Sequence, residues 1–289
     1  MAWLRRRPTT VAYLLLAPGM IYLALFYALP TAQMFLVSLW TGSIQKGYEQ
    51  TWNFSVYPDA LARYADEFVR SIAYGGLATL FAFALGFPLA YFIAFRGGRY
   101  KSLLLFLVIA PFFTSFLLRT ISWKIILADN GLLFGTLKDI GVLPEDFRVL
   151  ATPIAVIAGI TYNFLPFMTL PLYVALEKIQ PSILEAAQDL YADTGSRFRR
   201  VTLPLAMPGV IAGSLLVFIP AVGDFVNAEL LGSPQTAMIG NVIQSKFLKV
   251  GDYPTGAALS FILMFAILAA VLVYARAAGT EELYGARAG

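Results

Sequence analysis

The sequence predicts an all-α membrane protein with six transmembrane helices, and three observations support this. Of its 289 residues, 59% are hydrophobic and only 13% are charged, whereas a soluble domain carries about 25% charged residues. The mean hydropathy is +0.72. The apolar runs are also too long and too numerous for buried core helices, since roughly 20 apolar residues suffice to cross a bilayer.

Six apolar spans follow one another, and we expect residues 1–289 to form a single transmembrane domain. The cluster Arg5–Arg7 before the first run resembles the start of a signal peptide, but this run is far longer than a signal-peptide core, so we predict a retained span. Polar loops are expected near 41–69 and 129–150. The predicted spans are 11–39, 71–95, 103–127, 151–176, 206–231 and 255–275.

Basic residues predict the orientation of these spans. Twelve Lys and Arg residues lie on the side of the N-terminus and seven on the opposite side, and the excess of positive charge is retained in the cytoplasm. Both termini and the segment between spans four and five are therefore expected to be cytoplasmic. The twelve are Arg5, Arg6, Arg7, Arg96, Arg99, Lys101, Lys178, Arg197, Arg199, Arg200, Arg276 and Arg287, and the seven are Lys46, Arg63, Arg70, Lys138, Arg148, Lys246 and Lys249.

The segment 181–204 is the most polar long stretch between the spans. Ser182, with Glu185 three residues later, predicts a capping box at the start of a helix, and Gly195 can end this helix because glycine tolerates positive φ. Apolar and small residues fall on one side and acidic residues largely on the other. A helix of this kind suits a groove on another protein. The alternative, a helix resting on lipid, usually carries Lys or Arg on its polar face.

This segment resembles the cytoplasmic coupling motif of ATP-binding-cassette (ABC) importer permeases, which reads Glu-Ala-Ala, three residues, Gly, and later an apolar residue and Leu-Pro. The chain has Glu185-Ala186-Ala187, Val201 and Leu203-Pro204, with Tyr191 in place of the motif glycine. Nearly the whole chain is similar to the polyamine-importer branch of this family. The stretches that carry this similarity are Leu16–Gly19, Asp224–Gly232 and Ile239–Gln244.

The resemblance implies the small importer-type permease fold in a bacterial cytoplasmic (inner) membrane, with a coupling helix between spans four and five. It implies three protein partners: an ATPase dimer, a second permease that is a related but different chain, and an extracytoplasmic substrate-binding protein. The implied substrate is a polyamine such as spermidine or putrescine, and another small solute is the alternative. The implied ATPase-coupling residues are Glu185, Ala186, Ala187, Asp189, Leu190, Tyr191 and Gly195.

The residue types also exclude several classes of chemistry. The chain has no cysteine and no histidine, so thiolate or imidazole metal sites and Cys–His or Ser–His catalysis are excluded. It has no P-loop motif. We therefore predict a subunit that is not an enzyme and has no cofactor or metal of its own, with ATP and Mg²⁺ bound by the partner ATPase. No nucleic acid partner is expected. An ion-coupled secondary transporter remains an alternative, although it would need no docking helix.

Two acids late in the fifth span are the leading candidates for a solute path, because charged residues within spans are costly and often functional. We predict that Asp224 first, and Glu229 second, contribute to an outer site for a cationic solute. Asn227 would share a face with Asp224 if the helix is regular. Glu229 would then project about 140° away, unless Pro220 and Gly223 break the helix. The competing interpretation is an ion pair of these acids with Arg119 or Lys124.

Two further pairs of polar residues lie in spans three and four. Arg119 and Lys124 lie late in the third span, and their alternative role is to snorkel towards the outer interface. Tyr162 and Asn163 of the fourth span are predicted to add a hydrogen-bonding surface to the solute path. Hydrogen bonding between helices is the alternative for these two residues.

Overall fold

Helices supply nearly all the regular structure of residues 8–189 and 193–277, which are the residues that this computed structural model describes. A short antiparallel hairpin pairs β1 (Thr41–Ser43) with β2 (Gly47–Glu49). Wider π-helical turns occupy Ala24–Ala28, Phe198–Thr202 and Lys246–Val250. The α-helices are α1 (Pro8–Leu23), α2 (Leu29–Ser38), α3 (Val56–Arg63), α4 (Ala65–Arg96), α5 (Lys101–Ile109), α6 (Phe116–Leu127), α7 (Leu132–Asp139), α8 (Pro153–Glu177), α9 (Pro181–Asp189), α10 (Thr194–Arg197), α11 (Leu203–Val222), α12 (Val226–Leu231), α13 (Ile239–Ser245) and α14 (Tyr253–Ala277).

Five helical stretches of the described residues are long and apolar enough to cross a membrane. A further pair, Gly98–Phe113 and Phe116–Leu127, also qualifies but is bent by 93°. The described chain thus has five candidate spans, or six if the bent pair counts as one. The five are Tyr13–Ser38, Ala65–Arg96, Pro153–Glu177, Thr194–Val222 and Tyr253–Arg276.

The third predicted span, 103–127, is not a continuous helix. After α5 the chain tightens into a 3₁₀ turn, Ala110–Phe113, and Thr114 and Ser115 are extended. Pro111 in this turn has no amide hydrogen to donate, which weakens a helix at its position. The predicted third span is therefore interrupted in the structure, although the bent pair can still count as one span. We refer to Thr114 and Ser115 as the third-span break.

The fifth predicted span, 206–231, is also interrupted. Helix α11 ends at Val222, and α12 begins only at Val226. Pro220 lacks an amide hydrogen and Gly223 favours a helix end, so both weaken the helix at this point. We refer to residues 223–225 as the fifth-span break.

The described chain divides into two compact units. The first comprises the residues up to Arg63 together with Ile243–Ile262. Within it, the hydroxyl of Tyr48 in the hairpin donates to the carbonyl of Gly251, a residue with φ of 71°. The ring of Phe35 meets that of Phe261 edge to face, with centroids 5.6 Å apart. These contacts tie α2 and the hairpin to the chain around α14.

The second unit comprises Tyr64–Val242 and the residues from Leu263 onwards, and its centre is formed by α4, α8 and α11. Glycines bring these helices unusually close. A Cβ atom added at Gly213 would lie 2.8 Å from the sulfur of Met168, and one at Gly209 would lie 2.6 Å from Cβ of Ala175. Small residues permit this close approach between membrane helices. The buried apolar core of the second unit includes Ala82, Phe87, Ala90, Met168, Leu172, Leu176, Ala206 and Val217.

Candidate functional site

Helix α9 carries the first residues of the predicted coupling motif. Glu185, Ala186 and Asp189 are exposed, and Ala187 is half-buried. Leu184 packs against the apolar core of the second unit. The helix is thus attached through one side while its acidic and small residues remain accessible.

The start of α9 differs from the prediction. The helix begins at Pro181, so Ser182 lies within its first turn rather than at its cap, and the predicted capping box is wrong. Proline favours the first helical position because its missing amide hydrogen would be unpaired there in any case. The predicted coupling residues Leu190 and Tyr191 lie outside the described residues.

Asp193 starts the next helix, α10. Its carboxylate accepts hydrogen bonds from the amides of Gly195 (3.0 Å) and Ser196 (3.3 Å). Hydrogen bonds from Ser196 hold the pKa of the Asp193 carboxyl below its usual value. Gly195 therefore lies in the first turn of α10 and does not end α9, so that prediction is wrong. The physical reason is that an aspartate cap competes effectively for the start of a helix.

An ion pair fixes the end of the second unit at which α9 lies. Lys101 Nζ, at the start of α5, is 2.8 Å from a carboxylate oxygen of Glu177, at the end of α8. Both side chains are partly exposed, so this contact contributes little stability. It does show that the basic turn before α5 and the chain entering α9 are neighbours.

A buried polar cluster lies where α6, α8 and α12 meet, and consists of Thr120, Asn163, Asp224 and Asn227. The side-chain amide nitrogen of Asn163 donates to the side-chain oxygen of Asn227 (3.0 Å) and to the Thr120 hydroxyl (3.2 Å). The two oxygens of Asp224 accept from the backbone amide (2.8 Å) and the side-chain amide (2.7 Å) of Asn227. The cluster therefore connects the fifth-span break to both neighbouring helices.

Asp224 and Asn227 are in contact, but at the fifth-span break rather than on one face of a regular helix. The alternative interpretation, an ion pair of Asp224 with Arg119 or Lys124, is wrong. Each Asp224 oxygen accepts a hydrogen bond from Asn227, and no salt bridge joins Asp224 to Arg119 or Lys124 among the described residues. Nε and Nη1 of Arg119 are buried and have no hydrogen-bond partner in the described part of the chain. Those two atoms do not snorkel to water either. Lys124 is exposed.

Arg119 is instead surrounded by aromatic rings. Its guanidinium carbon lies 5.1 Å from the ring centre of Phe112 and 5.9 Å from that of Phe116. Both distances fall within the range of a cation–π interaction. These rings flank the third-span break on either side.

Glu229 and Tyr162 lie outside the polar cluster. Glu229 is exposed, and its carboxylate accepts from the Asn241 side chain at 3.3 Å. The same Asn241 amide donates to the carbonyl of Phe225 at 2.9 Å. Tyr162 is half-buried, with its ring centre 5.3 Å from that of Trp123. Of the predicted solute-path residues, the structure thus groups Asp224, Asn227 and Asn163.

Thr120 and Asn241 are functional candidates that the sequence did not single out. The Thr120 hydroxyl can bond to its own helix, and it does so to the carbonyl of Phe116 at 3.1 Å, so a threonine in an apolar run gives no distinct signal. The sequence indicates Asn241 only as one polar residue within the stretch Ile239–Gln244.

The polar cluster offers acceptors to an incoming group. Oδ1 of Asn163 is buried without a hydrogen-bond partner among the described residues, and the nearby Asp224 carboxylate can accept more than one bond per oxygen. An ammonium group, which only donates, is complementary to such a site. In the described ranges 8–189 and 193–277, no group of three or more His, Cys, Asp or Glu side chains could hold a metal ion.

Comparison with protein families gives a match to the binding-protein-dependent transport system inner membrane component over residues 86–278. The spermidine/putrescine transport system permease protein PotB of Haemophilus influenzae is 43% identical over 233 residues. The match covers 78% of this chain and 82% of that relative.

Solved structures share the fold. A bacterial ABC transporter that imports the acidic polysaccharide alginate has a chain with a TM-score of 0.76 and 20% identity, covering 95% of this chain and 96% of that one. A second structure of an alginate ABC transporter, in complex with a periplasmic protein that holds an alginate pentasaccharide, gives a TM-score of 0.71 at 20% identity, with 94% coverage of both chains. At 20% sequence identity the structural similarity establishes the fold alone, which is that of an ABC importer permease.

Proposed function

We infer a function from the premise that this chain belongs to the family of binding-protein-dependent transport system inner membrane components. It is a multi-pass permease subunit of the inner membrane, and we propose that it translocates a polyamine in an ATP-driven importer. The observation that carries this proposal is the 43% identity to a spermidine/putrescine permease across most of both chains. Spermidine and putrescine, named for that relative, are the solutes proposed here.

The polar cluster supports a cationic solute. Its one carboxylate, Asp224, and the oxygen of Asn163 that has no partner among the described residues are buried acceptors, and Asn227 hydrogen-bonds to both side chains. An ammonium group, which carries three N–H donors, is complementary to acceptors of this kind. In the proposed path Asp224, Asn227 and Asn163 contact the solute, and Glu229 and Tyr162 line the approach to them.

The proposed importer also needs a complete permease domain, a coupling segment and partner proteins. Residues 1–289 act as one permease domain with six spans, in which the bent pair forms the third. The partners are an ATPase dimer that binds ATP and Mg²⁺, a related second permease, and an extracytoplasmic substrate-binding protein. The alginate transporter crystallised with a periplasmic protein supports the last of these. Segment 181–204 is the coupling segment, because the acidic and small face of α9 is accessible.

The substrate is tested with the complete importer reconstituted in proteoliposomes. We expect spermidine or putrescine to stimulate ATP hydrolysis and to accumulate inside. Asp224→Asn keeps the size of the side chain and removes its charge, so uptake at subsaturating polyamine should fall while the complex assembles normally. Stimulation by maltose, amino acids or anions but not by polyamines would contradict the proposed substrate.

The coupling segment is tested on α9. Ala187→Trp should block a groove on the ATPase, and Glu185→Ala should remove a charged contact, so polyamine-stimulated hydrolysis should fall in both variants. Normal transport by both variants would exclude this docking surface.

Orientation is tested by single cysteines in a chain that has none. Ser43→Cys and Thr136→Cys should react with a membrane-impermeant reagent from outside, whereas Gly98→Cys and Ser196→Cys should not. Reaction at position 196 from outside would contradict cytoplasmic termini and ATPase docking together.

A further inference from the structure

Arg119 is half-buried and is held in an unusual way for a cation. Its Nε and Nη1 atoms are inaccessible and have no hydrogen-bond partner among residues 8–189 and 193–277, yet removing a guanidinium from water is costly unless other groups replace the water. Its charged end instead faces two rings, those of Phe112 at 5.1 Å and Phe116 at 5.9 Å. The two phenylalanines therefore form a surface that accommodates a cation through aromatic faces.

This aromatic surface is well defined because each ring is fixed by another. The ring of Phe112 packs edge to face on Phe167, with centroids 4.9 Å apart, and the ring of Phe116 lies 6.3 Å from that of Phe164. Phe112 remains 37% exposed, so part of the surface is open. A cation at this place competes for faces that Arg119 already covers.

The aromatic surface adjoins the polar cluster along two helices. Phe116 and Thr120 are one turn apart on α6, joined by the hydrogen bond from the Thr120 hydroxyl to the Phe116 carbonyl. On α8, Phe164 directly follows Asn163. A linear molecule with ammonium groups at both ends can place one at the polar cluster and another at the rings.

We propose that Phe112 and Phe116 form a second cation site for the transported polyamine, and that Arg119 occupies this site as a tethered competitor. The proposal rests on the proposed function, since it concerns the same solute. An ammonium enters when the guanidinium swings away on its flexible stem, and it is expelled when the guanidinium returns. A transporter needs such weak binding, because a solute that is held too tightly cannot leave.

The test is equilibrium binding of radiolabelled spermidine to the purified permease–ATPase complex without the binding protein. Arg119→Gln removes the competing charge, so we expect the Kd for spermidine to fall about fivefold, the factor that corresponds to one cation–π contact. In the Arg119→Gln background, Phe112→Leu or Phe116→Leu should restore the wild-type Kd.

Two controls separate competition from general effects of charge and folding. Lys124→Gln removes a positive charge from the same helix but lies outside the aromatic surface, so its Kd should equal that of the wild type. Arg119→Lys keeps the competing charge and should also leave the Kd near the wild-type value. If Arg119→Gln fails to assemble, Arg119→Met, which keeps the apolar stem, takes its place.

Three results would overturn the proposal: an unchanged or weaker Kd in Arg119→Gln, no effect of the phenylalanine substitutions in that background, or failure of both Arg119→Gln and Arg119→Met to assemble. Uptake by the complete wild-type importer identifies which proposal has failed. Absence of polyamine uptake by the wild type would contradict the proposed function. Normal uptake with an unchanged Kd in Arg119→Gln would contradict the second cation site alone.

Discussion

The third-span break and the fifth-span break each interrupt an apolar run beside a charged residue, yet they stabilise that charge by different means. At the fifth-span break, Asp224 accepts two hydrogen bonds from Asn227. Near the third-span break, Arg119 rests against Phe112 and Phe116. Directional hydrogen bonds specify one arrangement, whereas aromatic faces hold any cation of suitable size. The first charge is thus built into the fold, and the second is replaceable.

The largest expected effect comes from removing each charge. Asp224→Ala leaves the backbone amide and the side-chain amide of Asn227 buried without an acceptor, which should lower the free energy of unfolding by about 3 kcal/mol. Arg119→Met loses no hydrogen bond through Nε or Nη1 and gains sulfur–aromatic contacts, so the change should stay within about 1 kcal/mol. Titration of the purified complex with SDS measures both. Equal destabilisation by the two variants would abolish the distinction between the breaks.

A smaller effect is expected from the packing that surrounds the fifth-span break. A Cβ atom at Gly159 would lie 2.4 Å from Cδ1 of Leu231 and 2.9 Å from the side-chain oxygen of Asn227. Gly159→Ala should therefore cost about 2 kcal/mol by overpacking. The control is Gly76→Ala in α4, where nothing lies within 4 Å. This variant should gain up to about 1 kcal/mol from helix propensity. In SDS titration, the free energy of unfolding should fall in Gly159→Ala and rise in Gly76→Ala. Destabilisation of Gly76→Ala with no destabilisation of Gly159→Ala would contradict this prediction.

The smallest effect concerns the backbone that holds α12. Ala151 has φ of 64°, and its amide donates to the carbonyl of Leu231 at 2.9 Å. A left-handed alanine costs about 1–2 kcal/mol, and a glycine at this position would recover part of that cost, less the entropic cost of glycine itself. Ala151→Gly should thus stabilise the fold by about 0.5 kcal/mol, detected as a small rise in the thermal midpoint. Destabilisation would show that the left-handed conformation at position 151 carries no strain.

The sequence predicts the helical class well because the mean hydropathy of a run of about 20 residues changes little with any single residue. The fourth span, expected at 151–176, is α8 (Pro153–Glu177). The breaks were harder to predict, since the residues around Thr114 and Gly223 remain apolar on average. Prolines are tolerated in membrane helices, so Pro111 and Pro220 alone do not specify whether a helix bends, tightens or ends.

Candidate site residues could be predicted where a polar residue stands within an apolar span. Contacts between residues of different helices could not be predicted. Asp224, Asn227 and Asn163 stand out in apolar surroundings, and the structure groups them. The contact of Arg119 with Phe112 depends on a 93° bend between two helices, which no local pattern encodes. Gly195 misled because glycine is permitted at helix ends but is not confined to them, and Asp193 supplied a stronger start signal.

The glycine contacts between α4, α8 and α11 have a mechanical consequence. A glycine that faces the neighbouring helix lets the two backbones approach closely, so we expect these helices to resist sliding and to tilt together. Helix α11 has 20 residues, so it is about 30 Å long. A tilt of about 10° pivoting at one end displaces the other by about 5 Å, roughly the width of a polypeptide backbone. Gly75 of α4 lies directly against Val222, the last residue of α11. The fifth-span break follows Val222, so it lies at the end of α11 that a tilt about the other end displaces most.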